Sequence, residues 1–227
     1  MEKKARLLSY TQSITHPEHS LEDQICYVAR VSNPLNQSNT LNNRKLIQYL
    51  LDHKHFSPFE MVSLCLEINT TRDISRQILR HRSMSFQEFS QRYADPVSHM
   101  NFENREVRLQ DKKNRQNSIS VTEDSTLQTD FEELQNEMIE NAKTLYSKAL
   151  EKGIAKEQAR VLLPEGLIKT RMYVSGTLRS WLHYVEVRSD PSTQKEHREI
   201  ALVCAEEIGK VFPLIHNFVY NKTRAEM

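Results

Sequence analysis

Arg80-His81-Arg82-Ser83-Met84-Ser85-Phe86-Gln87-Glu88-Phe89-Ser90-Gln91-Arg92-Tyr93 is the stretch on which the reading of this chain turns. It closes a helix predicted from about Thr71, in which Arg72, Arg76 and Arg80 recur at four-residue steps and so share one face. Ile74 and Ile78 lie off that stripe and can pack inward. No acidic residue stands four positions after any of these arginines, so local ion pairs do not account for the stripe. Beyond Met84 the pattern changes to alternation, which predicts a strand. Extended chain would point Glu88, Ser90 and Arg92 one way and Phe89, Gln91 and Tyr93 the other. Helix end, turn and strand then offer a carboxylate, a hydroxyl and several guanidinium groups. Such a set suits a small ligand with a phosphate and a hydrogen-bonding ring, because arginine forks pair with phosphate oxygens. The same residues also describe a polar strand edge beside a solvated arginine helix, and spacing alone leaves both open.

Composition narrows the classes. A chain of 227 residues can bury a substantial core. No compositional shift marks a linker, so one domain over residues 1–227 is expected. The net charge of +1 creates no global field for nucleic acid or anionic membrane. Only four glycines occur, and neither GxGxxG nor GxxxxGK[ST] is present. Cys26, Cys65 and Cys204 lie far apart with no CxxC, so reduced thiols and a cytoplasmic location are expected. Met1-Glu2-Lys3-Lys4 leads into mixed sequence rather than an apolar leader, and no uncharged run is long enough to span a bilayer.

Periodicity alone gives mixed α and β. Arg6 to Thr11 reads as an edge strand. Ser20, with Asp23 three positions on, caps a helix that should end near Ser32, before Asn33-Pro34. Leu41 to Leu51 reads as a second helix, and Met61 to Ile68 as an apolar strand. Between them His53 and His55 could face one way on a strand, but no third ligand has metal-site spacing, so no metal is expected. Ala94-Asp95-Pro96 marks a turn. Asn101 to Thr129 is polar, without a sustained period, and basic at 112–115; it reads as a solvated loop. Thr129 to Lys152 is a clear helix, stepping by three and four through Phe131, Leu134, Met138, Ala142, Leu145 and Ala149. A short helix over Lys156 to Leu163, a strand over Lys169 to Ser175 and a helix capped by Thr177 follow. The last long helix, with Ile200, Cys204, Ile208 and Val211 on one stripe, runs to Pro213.

Arg80-His81-Arg82, separated by seven residues from Ser90 and continuing into Arg92-Tyr93, resembles the signature of flavin-dependent thymidylate synthases. So do Arg30-Val31-Ser32, His55-Phe56-Ser57-Pro58-Phe59-Glu60, Ala159-Arg160-Val161-Leu162-Leu163-Pro164, and Gly176 through Arg188. The resemblance spans roughly Ser20 to Pro213, in the family's order. It implies a single α/β domain, a small mixed sheet flanked by long helices. It implies reductive methylation of dUMP to dTMP, with 5,10-methylenetetrahydrofolate as carbon donor and NADPH-reduced FAD as hydride source. A homotetramer with active sites between subunits is implied as well. By residue, it assigns Arg188 and His55 to catalysis, with His55 on the folate or nicotinamide side. Gln77, Glu88, Ser90, Arg92, Arg160 and Arg188 are assigned to dUMP. Ser32, Arg80, His81, Arg82, Thr177, Arg179 and His183 are assigned to FAD. Many bacterial members carry Asn where this chain has Thr177 and His183, and His where it has Ser192. No cysteine falls in a matched motif, so no thiolate adduct is expected, and Ser90 is assigned to binding because no base is aligned with it.

Two other classes remain on the residues alone. A nucleic-acid-binding protein could use Arg72, Arg76, Arg80, Arg82 and the 112–115 loop, which would require a continuous basic surface. A helical module without catalysis would pair the arginine stripe with distant carboxylates.

Overall fold

The structure, a computed structural model, describes residues 3–121 and 126–220. In chain order the elements are β1 (Ala5–Tyr10), α1 (Leu21–Ala29), α2 (Asn43–Asp52), β2 (Ser63–Thr71), α3 (Arg72–Ile78), β3 (Ser85–Glu88) and α4 (Pro96–His99). Then come β4 (Arg108–Gln110), β5 (Ser118–Ser120), α5 (Thr126–Glu151), α6 (Lys156–Ala159), β6 (Lys169–Thr177), α7 (Leu178–Arg188) and α8 (Lys195–Gly209). Four strands form one sheet in the order β1-β2-β6-β3, and β4 with β5 form a separate pair. This is the small sheet with helices that the resemblance implied. The described residues divide into two compact units, one of residues 3–68, 81–86 and 173–220, the other of residues 69–80, 87–121 and 126–172.

In the first unit β1 pairs antiparallel with β2, Ala5 opposite Ile68 and Leu7 opposite Leu66, with a register shift between Leu7 and Ser9. Leu64, Leu66 and Ile68 are buried on one face of β2, and from Leu66 to Thr71 both faces of the strand are covered. The α1 cap is the predicted capping box: Asp23 N donates to Ser20 Oγ at 3.1 Å and Ser20 N to Asp23 Oδ2 at 3.1 Å. α1 stops at Ala29, short of Ser32, because Arg30 turns inward as its C-cap. The buried Arg30 donates through Nη1 to Asn43 Oδ1 at 2.7 Å and to the Asn39 carbonyl. Thr177 caps α7, accepting from Ser180 N at 3.3 Å. The packed face of α7 is Trp181, Leu182 and Val185, as predicted, and Trp181 Nε1 donates to the Leu64 carbonyl at 3.2 Å. α8 buries Ile200, Cys204 and Ile208 but ends at Gly209, so Val211 and Pro213 lie outside it. A Cβ at Gly209 would stand 2.5 Å from His216 Nε2, so glycine is what lets the following turn fold back.

In the second unit α5 lays Ile139, Ala142, Tyr146 and Ala149 inward, and Tyr146 and Ala149 cluster with Ala159, Leu163 and Ile168. Gln135 is buried and mimics a strand partner: its Oε1 accepts from Arg105 N at 2.6 Å and its Nε2 donates to Arg105 O at 3.0 Å. The polar stretch expected to be a loop contains an antiparallel hairpin, with Leu109 opposite Ile119. Its tip is closed by Asp111, whose carboxylate accepts from Lys113 N at 2.8 Å, Asn114 N at 3.2 Å and Asn117 Nδ2 at 2.9 Å. Its strands span three residues each and are largely exposed, so no apolar alternation announced them.

Trp181→Ala removes the largest fully buried side chain. It should lower unfolding stability by about 3–5 kcal/mol, read as a shift of the urea midpoint at unchanged slope.

Candidate active site

The arginine stripe is not one face. α3 ends at Ile78, so Arg80 lies beyond it, and Arg72 is only 4% exposed. Arg72 is met by Glu88 (Nη1 to Oε1, 3.4 Å) and Glu165 (Nε to Oε1, 3.5 Å), and Arg76 by Glu165 (Nη2 to Oε1, 3.2 Å). These carboxylates are distant in sequence, which is why no local spacing explained the arginines. The pairing also removes Arg72 from any nucleic-acid surface. Burial pushes the Glu165 carboxyl up, but Arg76 and Arg72 together pull it below its ordinary value.

Glu88 is the best-held of the predicted dUMP residues. Its Oε1 accepts from Ser75 Oγ at 2.8 Å, Thr170 Oγ1 at 3.0 Å and Arg72 Nη1 at 3.4 Å. None of these three partners carried a sequence motif; only the lack of local counter-charges for Arg72 hinted at them. The extended stretch ends sooner than predicted. β3 stops at Glu88, and the Ser90 carbonyl accepts from Tyr93 N at 3.2 Å and Ala94 N at 3.0 Å, closing a turn. Ser90 and Arg92 are both exposed, and Arg92 sits on the turn rather than on the strand. That turn is tied to α6: Arg92 Nε lies 3.3 Å from Glu157 Oε2, and Lys156 Nζ donates to the Tyr93 carbonyl at 3.2 Å. Half-buried Arg160 follows α6 as its C-cap, four residues after Lys156. Lys156 was missed by sequence reasoning; its helical spacing from Arg160 was the available signal. Gln77 is half-buried on α3.

The first unit holds the other group. Arg188, at the end of α7, donates through Nε to His81 Nε2 at 2.9 Å. The His81 ring meets Tyr184 edge-on at 4.9 Å, and Tyr184 in turn packs on Trp181 and His197. Burial, with the Arg188 charge and His183 adding to it, pushes His81 down to about 4. Burial, then Arg188 and His81, pushes His197 down to about 3. Both imidazoles are therefore neutral at pH 7. His197, 0% exposed on α8, carried no motif.

A cavity of about 460 Å³ opens beside α7, within the usual size of small-molecule sites. Phe56 and Phe218 give it aromatic walls, and Ser83, Arg179, His183 and Glu186 give it polar ones. Arg179 and His183 are thus brought together as the four-residue spacing implied, and Arg179 pairs with Glu60 over the Phe56 ring. The wall does not include Ser32, Arg80, His81, Arg82 or Thr177. Ser32 lies exposed in the turn after α1, Arg80 and Arg82 are exposed, and the Thr177 hydroxyl is occupied in capping. His55 is exposed after α2, its N bonded to Leu50 O at 2.8 Å; its neighbour Phe56, not His55, lines the cavity. His53 lies in the turn that follows α2 and His55 just beyond it, neither on a strand, and His53 stacks on Tyr49 at 4.0 Å.

Among the described residues, one group of three potential metal donors clusters: His16, Glu18 and His19, whose donor atoms lie within 4.8 Å of one another. The two imidazoles stack at 4.5 Å with planes 13° apart. Their in-plane lone pairs lie in nearly parallel planes and do not converge on one ion. Among the thiols, burial pushes Cys26 up to about 12 and Cys204 up as well, which leaves them poor nucleophiles.

The family described as thymidylate synthase complementing protein matches residues 6–214. A probable flavin-dependent thymidylate synthase of Paramecium bursaria Chlorella virus 1 is 46% identical over 216 residues, 93% of this chain and 96% of the relative. The flavin-dependent thymidylate synthase of Synechocystis is 48% identical over 210 residues, 89% of this chain and 94% of the relative. Among solved structures, a UMP/dUMP methylase PolB from Streptomyces cacaoi, bound with 5-Br dUMP, superposes with a TM-score of 0.75 at 23% identity, over 94% of this chain and 93% of its own. The matches over nearly the whole chain define its class as that of the flavin-dependent thymidylate synthases. The chain belongs to the thymidylate synthase complementing protein family, that of the flavin-dependent thymidylate synthases.

The two buried histidines predict acid lability. Each binds its proton less readily in the folded state than at the ordinary value of 6.5. The unfolded chain therefore takes up more protons as pH falls from 6.5 towards 4, and stability is lost through that window. Melting temperature should be flat from pH 8 to 7 and decline below about 6.5, above the range where carboxylates titrate. An unchanged melting temperature between pH 6.5 and 5 would overturn the neutral assignment.

Proposed function

We propose that this chain catalyses the reductive methylation of dUMP to dTMP, taking its carbon from 5,10-methylenetetrahydrofolate. The observation that carries this is the identity of 46% and 48% to flavin-dependent thymidylate synthases over nearly the whole of both chains. When bound, FAD supplies the hydride equivalents, with NADPH as their source. The cavity fits a flat ring with a polar edge, since aromatic Phe56 and Phe218 stand beside donors on Ser83, Arg179 and His183. Arg179 and His183 would hold the ring. Arg80 and Arg82, both exposed cations, would hold its pyrophosphate, and Ser32 and Thr177 would make the lesser contacts.

The dUMP phosphate is close to a dianion at neutral pH and needs charge-assisted donors. Ser90, Arg92 and Arg160 would supply them, with Gln77 and Glu88 on the nucleoside. Arg92 can leave Glu157 for the phosphate at little cost, because exposed pairs are worth about 0–1 kcal/mol. Making C5 nucleophilic, or C6 electrophilic, puts negative charge on the uracil O2/N3 region, and Arg188 would stabilise it. His55 would serve the folate or nicotinamide side. Neither Ser90 nor a thiol acts as nucleophile.

Assembly into a homotetramer would bring the separate groups into shared active sites. Supporting it, α5 leaves Leu127, Phe131, Leu134, Met138 and Leu145 exposed along one side, an apolar stripe of the sort that marks association. We also take residues 1–227 as one catalytic domain, because β2, β3 and β6 each contribute residues to both compact units. A cytoplasmic location suits the free cysteines and a nucleotide substrate.

Tritium release from C5-labelled dUMP, requiring NADPH and methylenetetrahydrofolate and yielding dTMP, tests the reaction. Arg188→Ala should lower turnover by about 10²–10³-fold while the flavin absorbance is retained; full activity would remove Arg188 from the uracil. Leu134→Glu combined with Met138→Lys should shift sedimentation from the assembled form towards the monomer. An unchanged profile would place the interface elsewhere.

A further inference from the structure

The hydrogen bond between Arg188 and His81 has a chemical direction. Arginine only donates, so the 2.9 Å contact from Arg188 Nε makes His81 Nε2 an acceptor. The imidazole must then be neutral with its proton on Nδ1. Among the described residues this is the one hydrogen bond the Arg188 guanidinium makes, and both of its Nη groups are left for a ligand. We propose that His81 is a positioning residue for Arg188: its imidazole fixes the plane of the guanidinium by accepting from Nε. This rests on the reading that Arg188 serves the uracil ring, and it gives the side chain a task beyond the cofactor contact that the family signature implies.

The surroundings hold His81 in place for that task. The residue opens a tight turn, its carbonyl accepting from Met84 N at 3.1 Å. Met84 is buried against Gly176, where a Cβ would stand only 3.0 Å from Met84 Cγ. Ser180 Oγ, from α7, donates to the Ser83 carbonyl at 3.3 Å. The ring is braced edge-on by Tyr184, also from α7. The turn is therefore clamped to the helix that carries Arg188. The titratable groups around the ring are Arg188, His183 and Tyr184 on α7 and His197 on α8. None is an acidic group that would draw a proton onto the imidazole. Burial and the adjacent guanidinium disfavour protonation, so the acceptor is available throughout neutral pH. A histidine whose Nε2 is engaged this way, beside a permanent cation, is a poor general base.

The test compares flavin-loaded wild type, His81→Ala, His81→Gln, Arg188→Ala and the His81→Ala/Arg188→Ala double variant. Flavin absorbance is read first, then kcat and the KM for dUMP from tritium release. His81→Ala should keep its flavin and its KM but lose about 10- to 100-fold in kcat, as expected when a transition-state group is misplaced. His81→Gln, which can offer Oε1 as acceptor, should recover most of that loss. In the Arg188→Ala background, removing His81 should cost nothing further, because its effect passes through the guanidinium. Loss of flavin in His81→Ala, equal losses in the Ala and Gln variants, or losses that multiply in the double variant would each overturn the proposal. Full activity in Arg188→Ala would instead overturn the uracil reading on which it rests. If Arg188→Ala is too slow to follow, the comparison of Ala with Gln at position 81 decides alone.

Discussion

A buried guanidinium must find its counter-charge inside the protein, and Arg72 imposes that constraint on the second unit. The residue is the first of α3 and follows β2 without an intervening loop. It is met by Glu88 and Glu165. Removing one partner of a buried pair typically costs about 3–5 kcal/mol, so Glu88, the buried one of the two, is tied to the strand–helix junction. The same junction is gripped a second time, since Arg105 Nη2 lies 2.7 Å from Asp73 Oδ1 and also donates to the Thr71 hydroxyl. Ser75 and Thr170 then complete the shell of Glu88. A carboxylate so held presents its second oxygen in a fixed direction.

α7 solves a related problem in the first unit with one helix. Its Thr177 hydroxyl takes up an N-terminal amide, Trp181 and Val185 anchor it in the core, and Arg179 and His183 face the cavity. Arg188 lies in the last turn, where the helix dipole favours a cation by roughly 0.3–1 kcal/mol. That general preference would keep a charge near the end but would not orient it. The hydrogen bond to His81 supplies a direction. Three tasks thus fall on different faces of eleven residues, and the packing of one face sets the geometry of the other two.

Local chemistry was legible in the sequence where the deciding partner lay within a few residues. The Ser20 capping box, the Thr177 cap, the α7 core face and the inward positions Ala142 and Ala149 of α5 follow from spacings of three and four. The misreadings share a cause: a distant partner. α1 stopped early because Arg30 reaches Asn39 and Asn43. α8 stopped early where His216 folds back over Gly209. The arginine stripe dissolved because its counter-charges come from Glu88 and Glu165. Exposed apolar residues on α5, such as Phe131, Leu134 and Met138, looked like core because periodicity reports a face, not what covers it. The hairpin within residues 101–129 was invisible for the opposite reason: its side chains are solvated, and its turn is held by Asp111 rather than by glycine.

Exposure then separates arginines that sequence treats alike. Arg72 and Arg92 each stand within 3.5 Å of a glutamate. For Arg72 the side chain is 5% exposed and the partner Glu88 14%, so parting them would leave charge stranded in a low-dielectric interior. For Arg92 the figures are 67% and 49%, and water can replace the partner at a cost of about 0–1 kcal/mol. The buried arginine is therefore committed to holding Glu88 in place, while the exposed one, on a turn tied to α6 through Glu157 and Lys156, can exchange its partner for water or another anion.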